Sequence, residues 1–198
     1  MVRDRDPFST ALEDLRLRLT SGVYSGGAPV VILDEARRLK LSTTPVREAL
    51  AWLSGAGLVE HVPAGGYRAS RLEAGIVRDR YRFRRDCLSL SLGRFVGQFR
   101  PMTPFSRPED IFDWIIGRGG DRALGEAYHR VAFHLERLRA AERQVVGDPV
   151  SAFEAMTQSL SDDRIDVLDD LIVDYHQVRI TASIAIAFEA DQTPLEPS

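Results

Sequence analysis

Apolar side chains recur along this chain mostly with a helical period, and each break in that period marks a new element. In "FSTALEDLRLRLTS", residues 8–21, Leu12, Leu15 and Leu19 stand three and four apart with charges between them, which predicts an amphipathic helix. "GVYSGGAP" breaks it. "VILDEARRLKL" then places Leu33, Ala36 and either Leu39 or Lys40 on one side of a short second helix, with Arg37 and Arg38 pointing elsewhere. In "LSTTPVREALAWLSGAG" a third stripe, Val46, Ala49, Leu50 and Leu53, follows the i, i+3, i+4, i+7 rule and must face a core. Ser42 is an N-cap type, Pro45 falls in the first turn where its missing N–H costs nothing, and Glu48 lies near the positive end of the dipole. Gly55 and Gly57 end the helix.

The period then changes. "LVEHV" alternates, "PAGG" turns and "YRAS" returns, which predicts a strand-turn-strand with Gly65 and Gly66 at its tip. Three short helices followed by a hairpin predict a winged helix-turn-helix over residues 8–71. From residue 72 onward strand signals nearly vanish. "AGIVRDRYRFRRDCLSLSLGRFVGQF" repeats Ile76, Tyr81 or Phe83, Cys87, Leu88, Leu92 and Phe95 as one long amphipathic helix, and Pro108 begins another through "EDIFDWIIG". "RALGEAYHRVAFHLERLRAAERQVV", "DPVSAFEAMTQSL" and "DRIDVLDDLIVDYHQVRITASIAIAFEA" predict three further helices, so residues 72–190 read as an all-α bundle and 191–198 as a flexible tail. The fold class is mainly α.

A helix that reads DNA carries small polar and basic groups at its N-terminal end and apolar groups on its back. "STTPVREAL" has both, so Ser42, Thr43, Thr44 and Arg47 are candidates to meet base edges and phosphates in the major groove. Gly65 and Gly66 let the wing approach the backbone or minor groove without a side chain in the way. Arg37, Arg38, Lys40, Arg68 and Arg71 together would supply phosphate affinity. Each residue also has a plainer reading: threonines that cap a helix, glycines that only turn a hairpin, arginines that are solvated charge.

Composition supports this division. The chain has 198 residues, 44% hydrophobic and 28% charged, which suits a soluble globular protein with a core. Residues 1–71 carry ten basic and eight acidic side chains, +2, whereas 72–198 carry sixteen and twenty-one, −5, within a net charge of −3. That asymmetry is compatible with a head that faces nucleic acid. The single cysteine, Cys87, cannot form an internal disulfide and reads as a small buried apolar residue. No apolar run reaches the roughly 18 residues of a membrane span, and "MVRDRDPFST" has no signal-peptide core, so a cytoplasmic protein without a membrane partner is expected.

The segment "GVYSGGAPV...LDEARRLKLSTTPVREALAWLSGAGLVEHVPAGGYRAS" resembles the DNA-binding domain of GntR-type bacterial transcription regulators. The specific part is the block Thr44-Pro45-Val46-Arg47-Glu48-Ala49-Leu50, followed by Gly-Leu-Val and a glycine-containing wing. Thr43 stands where that family usually has a base-reading arginine, and Leu33 where some members carry a basic residue, so the resemblance implies an operator unlike the usual one. A looser resemblance, over residues 75–190, links "IFDWIIGRGGDRALGEAY" to the FCD effector domain of the FadR-like subgroup.

That resemblance implies a small organic acid as effector and, in many members, a divalent metal held by one aspartate and three histidines. Aligned on Phe112, Glu109 takes the aspartate's place, Asp113 that of the first histidine, and His176 lies near the last. No histidine stands between Val150 and Leu160, so Glu154 would have to replace the middle ligand and the set is incomplete; no cofactor is required. Arg84 matches an arginine the family turns toward its cavity. Effector binding is therefore expected at Arg84, Glu109, Asp113 and His176. His129 and His134 are five apart, not at the four-residue spacing that presents two ligands together, and read as surface or packing residues.

Three functions are compatible with this sequence. The first is an effector-controlled regulator, a repressor and not an enzyme, whose homodimer binds an imperfect palindrome of double-stranded DNA. The second is a helical-bundle enzyme using Glu109, Asp113 and His176 as a metal or acid-base site. The third is a dimeric adaptor whose winged head contacts protein.

Overall fold

The computed structural model describes residues 6–63, 65–94 and 104–192. The chain divides into two compact units, one running up to Leu72 and joined by the chain from Phe188, the other spanning Glu73–Ala187.

The first unit contains α1 (Pro7–Thr20), β1 (Pro29–Val30), α2 (Ile32–Leu39), α3 (Thr43–Gly55), β2 (Val59–His61) and β3 (Tyr67–Ala69). Asp6 caps α1 by accepting the Ser9 N–H at 3.3 Å. The buried line on α1 is Ala11, Leu15 and Leu19, four apart, with Leu12 at its half-buried margin. On α3 the expected stripe holds: Val46, Ala49, Leu50 and Leu53 are fully buried. Each buried leucine there contributes roughly 1.5–3 kcal/mol. Gly57, at φ +74°, closes α3 as the Leu58 N–H reaches back to the Leu53 carbonyl at 3.0 Å. Two local expectations fail. Ser42 occupies the N-cap position but its hydroxyl makes no capping hydrogen bond, and Glu48 lies past the first turn, where the exposed N–H groups are.

On α2, Leu33 is 48% exposed, while Glu35 is buried beside Ala36. A carboxylate can take that place because Tyr24 donates its hydroxyl to it, Arg38 pairs with it at 2.7 Å and Arg18 lies 3.6 Å away. The hairpin β2–β3 forms as expected and gains a third strand, giving the antiparallel order β1-β3-β2. The two residues of β1 are too few to carry a period. Gly27 leads into it at φ +84°, donating to the Ala69 carbonyl at 2.8 Å, with the Arg71 guanidinium 2.9 Å from where a Cβ would sit.

The second unit and the end of the described chain contain α4 (Ala74–Gly93), α5 (Pro108–Arg118), α6 (Arg122–Glu136), α7 (Arg139–Val146), α8 (Val150–Ser161), α9 (Ile165–Thr181) and α10 (Ser183–Gln192). Its core packs Leu88, Leu92, Ile111, Phe112, Met156, Leu168 and Ile172. Pro108 starts α5 as expected.

The helix expected over 122–146 is two helices. Leu138 donates to the Leu135 carbonyl at 3.0 Å, a tightened turn, and its own carbonyl then accepts the Glu142 N–H at 2.7 Å. Leu138 keeps right-handed angles (φ −92°, ψ −9°), so no glycine or proline marks the break. Ala182 separates α9 from α10 in the same way.

On α4 the buried face is Val77, Tyr81, Arg84, Cys87, Leu88 and Leu92, so Ile76 and Phe83 are not core residues. Phe95 and the rest of 95–103 lie outside the described residues, as do 193–198 of the expected tail, whose first two residues, Asp191 and Gln192, are helical. Among the described residues no helix is long and apolar enough to cross a membrane.

Candidate functional site

The first candidate surface is the N-terminal end of α3. Ser42, Thr44, Arg47 and Glu48 are exposed and Thr43 is half-buried, while the opposite side of the same helix is sealed in the core. Arg47 makes no ion pair among the described residues, so its guanidinium is available to an external acceptor. Farther along α3, Trp52 is 52% exposed.

The wing ends at Gly65 and Gly66, whose φ values of +94° and +106° are poorly tolerated by residues with a Cβ, and nothing crowds either position. The turn is held by the Val62 N–H on the Gly66 carbonyl at 3.0 Å and the Gly65 N–H on the Val62 carbonyl at 2.8 Å. His61 and Tyr67 pack edge to face at 5.4 Å on its flank.

The other basic candidates differ in how far they are engaged within the molecule. Arg68 faces Glu60 across the β2–β3 ladder, 2.7 Å apart, and Arg37 is 3.6 Å from Asp34; both pairs are exposed and weak. Arg38 is engaged by both Asp14 and Glu35. A phosphate would have to compete with two carboxylates for it. The sequence pattern missed this, because Asp14 lies 24 residues away.

The second candidate region is a polar network inside the helical unit. Arg84 is buried and donates its Nε–H to His176 Nε2 at 2.9 Å, while His176 Nδ1 bonds the Ile172 carbonyl at 2.7 Å. Both contacts fit one neutral tautomer, with the proton on Nδ1. Burial, then the Arg84 charge, hold this imidazole well below its ordinary pKa, against the smaller opposing pull of the Ile172 carbonyl. Arg84 lies over the rings of Tyr81 and Phe112 at about 5.5 and 5.4 Å, and its Nη2 has no acceptor among the described residues.

Glu109 accepts the Tyr175 hydroxyl at 3.4 Å, and exposed Asp113 accepts that of Tyr128 at 3.0 Å. Arg84 and His176 are thus brought together, with Glu109 nearby through Tyr175, whose ring packs on His176 at 5.3 Å. Asp113 is turned to a different partner.

This arrangement does not fit a metal. His176 has given its Nε2 lone pair to a guanidinium and its other nitrogen to a carbonyl, and a cation would sit against the Arg84 charge. Among the described residues no three His, Cys, Asp or Glu side chains gather as a ligand set, and Glu154 is exposed on α8. The metal set considered from sequence, Glu109, Asp113 and His176, is therefore not assembled. Of the remaining histidines, His129 packs edge to face on Tyr128 at 5.1 Å and is exposed. His134 is half-buried, its pKa pushed down to about 4 by burial and then by Arg80, Arg137 and Arg130. Cys87 is buried, and burial followed by the Asp86 charge pushes its thiol up to about 11.

Sequence reasoning did not find the rest of the network. Glu142 and Arg179 form a buried ion pair at 2.8 Å; Tyr81 donates its hydroxyl to Glu142, and Arg179 also donates to the Tyr175 carbonyl at 2.9 Å. The one available signal was charge at helix positions whose neighbours a turn away are apolar. Beside this pair a cavity of about 280 Å³ opens among α5, α7 and α9.

No family model and no curated protein matches the chain. Solved structures do. E. coli McbR/YncC is similar with a TM-score of 0.64 at 16% identity, over 90% of this chain and 97% of that one. A transcriptional regulator GntR from Rhodococcus sp. RHA1 is similar with a TM-score of 0.69 at 17% identity, over 89% and 97%. Over those lengths this chain shares the fold of the two structures, a winged three-helix head followed in sequence by a helical unit.

Proposed function

We propose that this protein is a sequence-specific, double-stranded-DNA-binding transcription regulator, a cytoplasmic repressor and not an enzyme, controlled by a small organic acid. The observation that carries the reading is the two-sided α3: polar and basic groups exposed at its N-terminal end, Val46, Ala49, Leu50 and Leu53 buried behind, and a glycine-tipped wing in the same unit. Thr43, in place of an arginine, offers a hydroxyl or a methyl contact instead of a bidentate guanine contact, which shifts the preferred operator. The winged head is the DNA-binding domain, residues 8–71, and the helical part, 72–190, the effector domain.

Arg84 supports the effector half. A buried guanidinium N–H without an acceptor costs about 1–3 kcal/mol, and a carboxylate on the ligand would supply that acceptor. Fluorescence anisotropy with duplexes from the gene's own promoter region tests both halves. Binding is expected to be salt-sensitive and sequence-selective, and Arg47→Ala to weaken the preferred site by about 1–3 kcal/mol while nonspecific binding changes little. Adding small organic acids to the preformed complex should release the DNA. Absence of selective binding at low salt removes the regulator reading; a complex that no acid disturbs removes its control by effector.

A homodimer would place two reading helices one DNA turn apart on an imperfect palindrome. On α4, Ile76, Phe83 and Leu90 are 46%, 44% and 46% exposed at intervals of seven residues, an apolar stripe on a helix whose other side is core. A second copy is the occupant this reading assigns to it. Phe83→Asp is expected to halve the mass measured by light scattering after size exclusion while circular dichroism stays unchanged. A wild-type monomer at micromolar concentration would count against the dimer.

A further inference from the structure

We infer that the cavity among α5, α7 and α9 is a binding site for a compact anion carrying at least two negative charges. Its residues are other than Arg84 and His176, so the inference goes beyond the effector position proposed above, although Glu109 and Tyr175 border both.

Several of the charges in the wall are already matched within the molecule. Arg179 reaches the cavity, but its charge is matched by Glu142 at 2.8 Å and its orientation is locked by the Tyr175 carbonyl and by stacking 3.4 Å above the Tyr175 ring. Arg107 is matched by Asp110 at 2.9 Å. That leaves Arg139 and Arg143 on α7, which have no ion pair among the described residues. Glu109 is the one carboxylate in the wall without a cationic partner among the described residues, and it accepts from Tyr175. The wall therefore carries surplus positive charge on a preorganised base.

Spacing selects the ligand. Residues four apart on a helix have Cβ atoms about 5–6 Å from each other, so Arg139 and Arg143 present two guanidiniums to one cavity, where a short molecule with two acid groups or one doubly ionised phosphate can engage both. A monovalent anion would satisfy only one of them. The volume, about 280 Å³, is at the lower end of metabolite pockets and limits the ligand to a compact molecule. Carboxylates and phosphates share the required chemistry.

Isothermal titration calorimetry on the full chain, without DNA and at constant ionic strength, tests the inference with citrate, glycerol 3-phosphate and acetate. Saturable binding of citrate or glycerol 3-phosphate, but not acetate, is expected; which of the two binds identifies carboxylate or phosphate chemistry. The double variant Arg139→Gln/Arg143→Gln should weaken that binding roughly tenfold or more, whereas Arg122→Gln, an exposed arginine outside the cavity, should leave it unchanged. The inference is overturned if neither polyanion binds, if acetate binds equally well, or if the two variants behave alike. Each variant's circular dichroism and melting curve establishes that it folds; should the double variant fail to fold, Arg143→Gln alone, at an exposed position, takes its place. Because DNA is absent, failure here leaves the regulator reading standing, and failure of DNA binding leaves this site standing.

Discussion

Glu142→Ala should lower the unfolding free energy by about 3–5 kcal/mol, a large fraction of the roughly 5–15 kcal/mol that holds an ordinary domain together. Glu142 is nearly inaccessible and serves two partners at once, accepting from Arg179 Nε at 2.8 Å and from the Tyr81 hydroxyl. Alanine would leave the Arg179 guanidinium buried with only the Tyr175 carbonyl, and the Tyr81 hydroxyl with no acceptor in place of the carboxylate. Desolvating an unpaired charge is the expensive part, so the loss should exceed that of deleting an exposed pair such as Arg122–Glu126, which is worth less than about 1 kcal/mol. Replacing both partners, Glu142→Leu with Arg179→Leu, removes the charge along with its counter-charge and should recover most of the stability. Urea unfolding of the three proteins decides it. A loss under about 1 kcal/mol for Glu142→Ala would mean that water reaches the pair.

The second large effect is a loss of stability in mild acid. His176 is held neutral well below its ordinary pKa by burial and by Arg84, and His134 is pushed down to about 4. In the unfolded chain both would titrate near 6.5. As pH falls below about 6.5 the unfolded state gains protons that the folded state refuses, so stability is full above that pH and declines below it. The decline approaches about 1.4 kcal/mol for each pH unit per proton that the folded state refuses. His176→Gln keeps an acceptor for Arg84 without the titration. Urea midpoints measured from pH 7 to 4.5 should therefore fall less steeply for the variant than for the wild type. Equal slopes would show that His176 is not the group responsible.

Much of the head could be read from local pattern. The α3 stripe, the glycine stop and the turn at Gly65 and Gly66 depend on residues within one or two turns of one another, and all three appear where expected. Leu33 departs from expectation because an eight-residue helix has too little length to fix its buried side, and Glu35 takes that side among Tyr24, Arg18 and Arg38. The breaks at Leu138 and Ala182 left no trace because both residues keep near-helical angles and the apolar spacing runs through them. On α4 the period admitted either Tyr81 or Phe83, and packing chose Tyr81.

The candidate site divides along the same line. Exposure of Thr44 and Arg47 follows from their place on a helix whose other side is apolar, which the order of residues alone requires. Whether a given arginine is free or engaged does not follow from order, because its counter-charge comes from elsewhere in the chain. Arg38 meets Asp14, 24 residues away, Arg84 meets His176, 92 away, and Glu142 meets Arg179 and Tyr81, 37 and 61 away. Short-range rules place a helix and its faces; the partners of a charged side chain, and with them its energy and its availability to a ligand, exist only once distant segments have packed together.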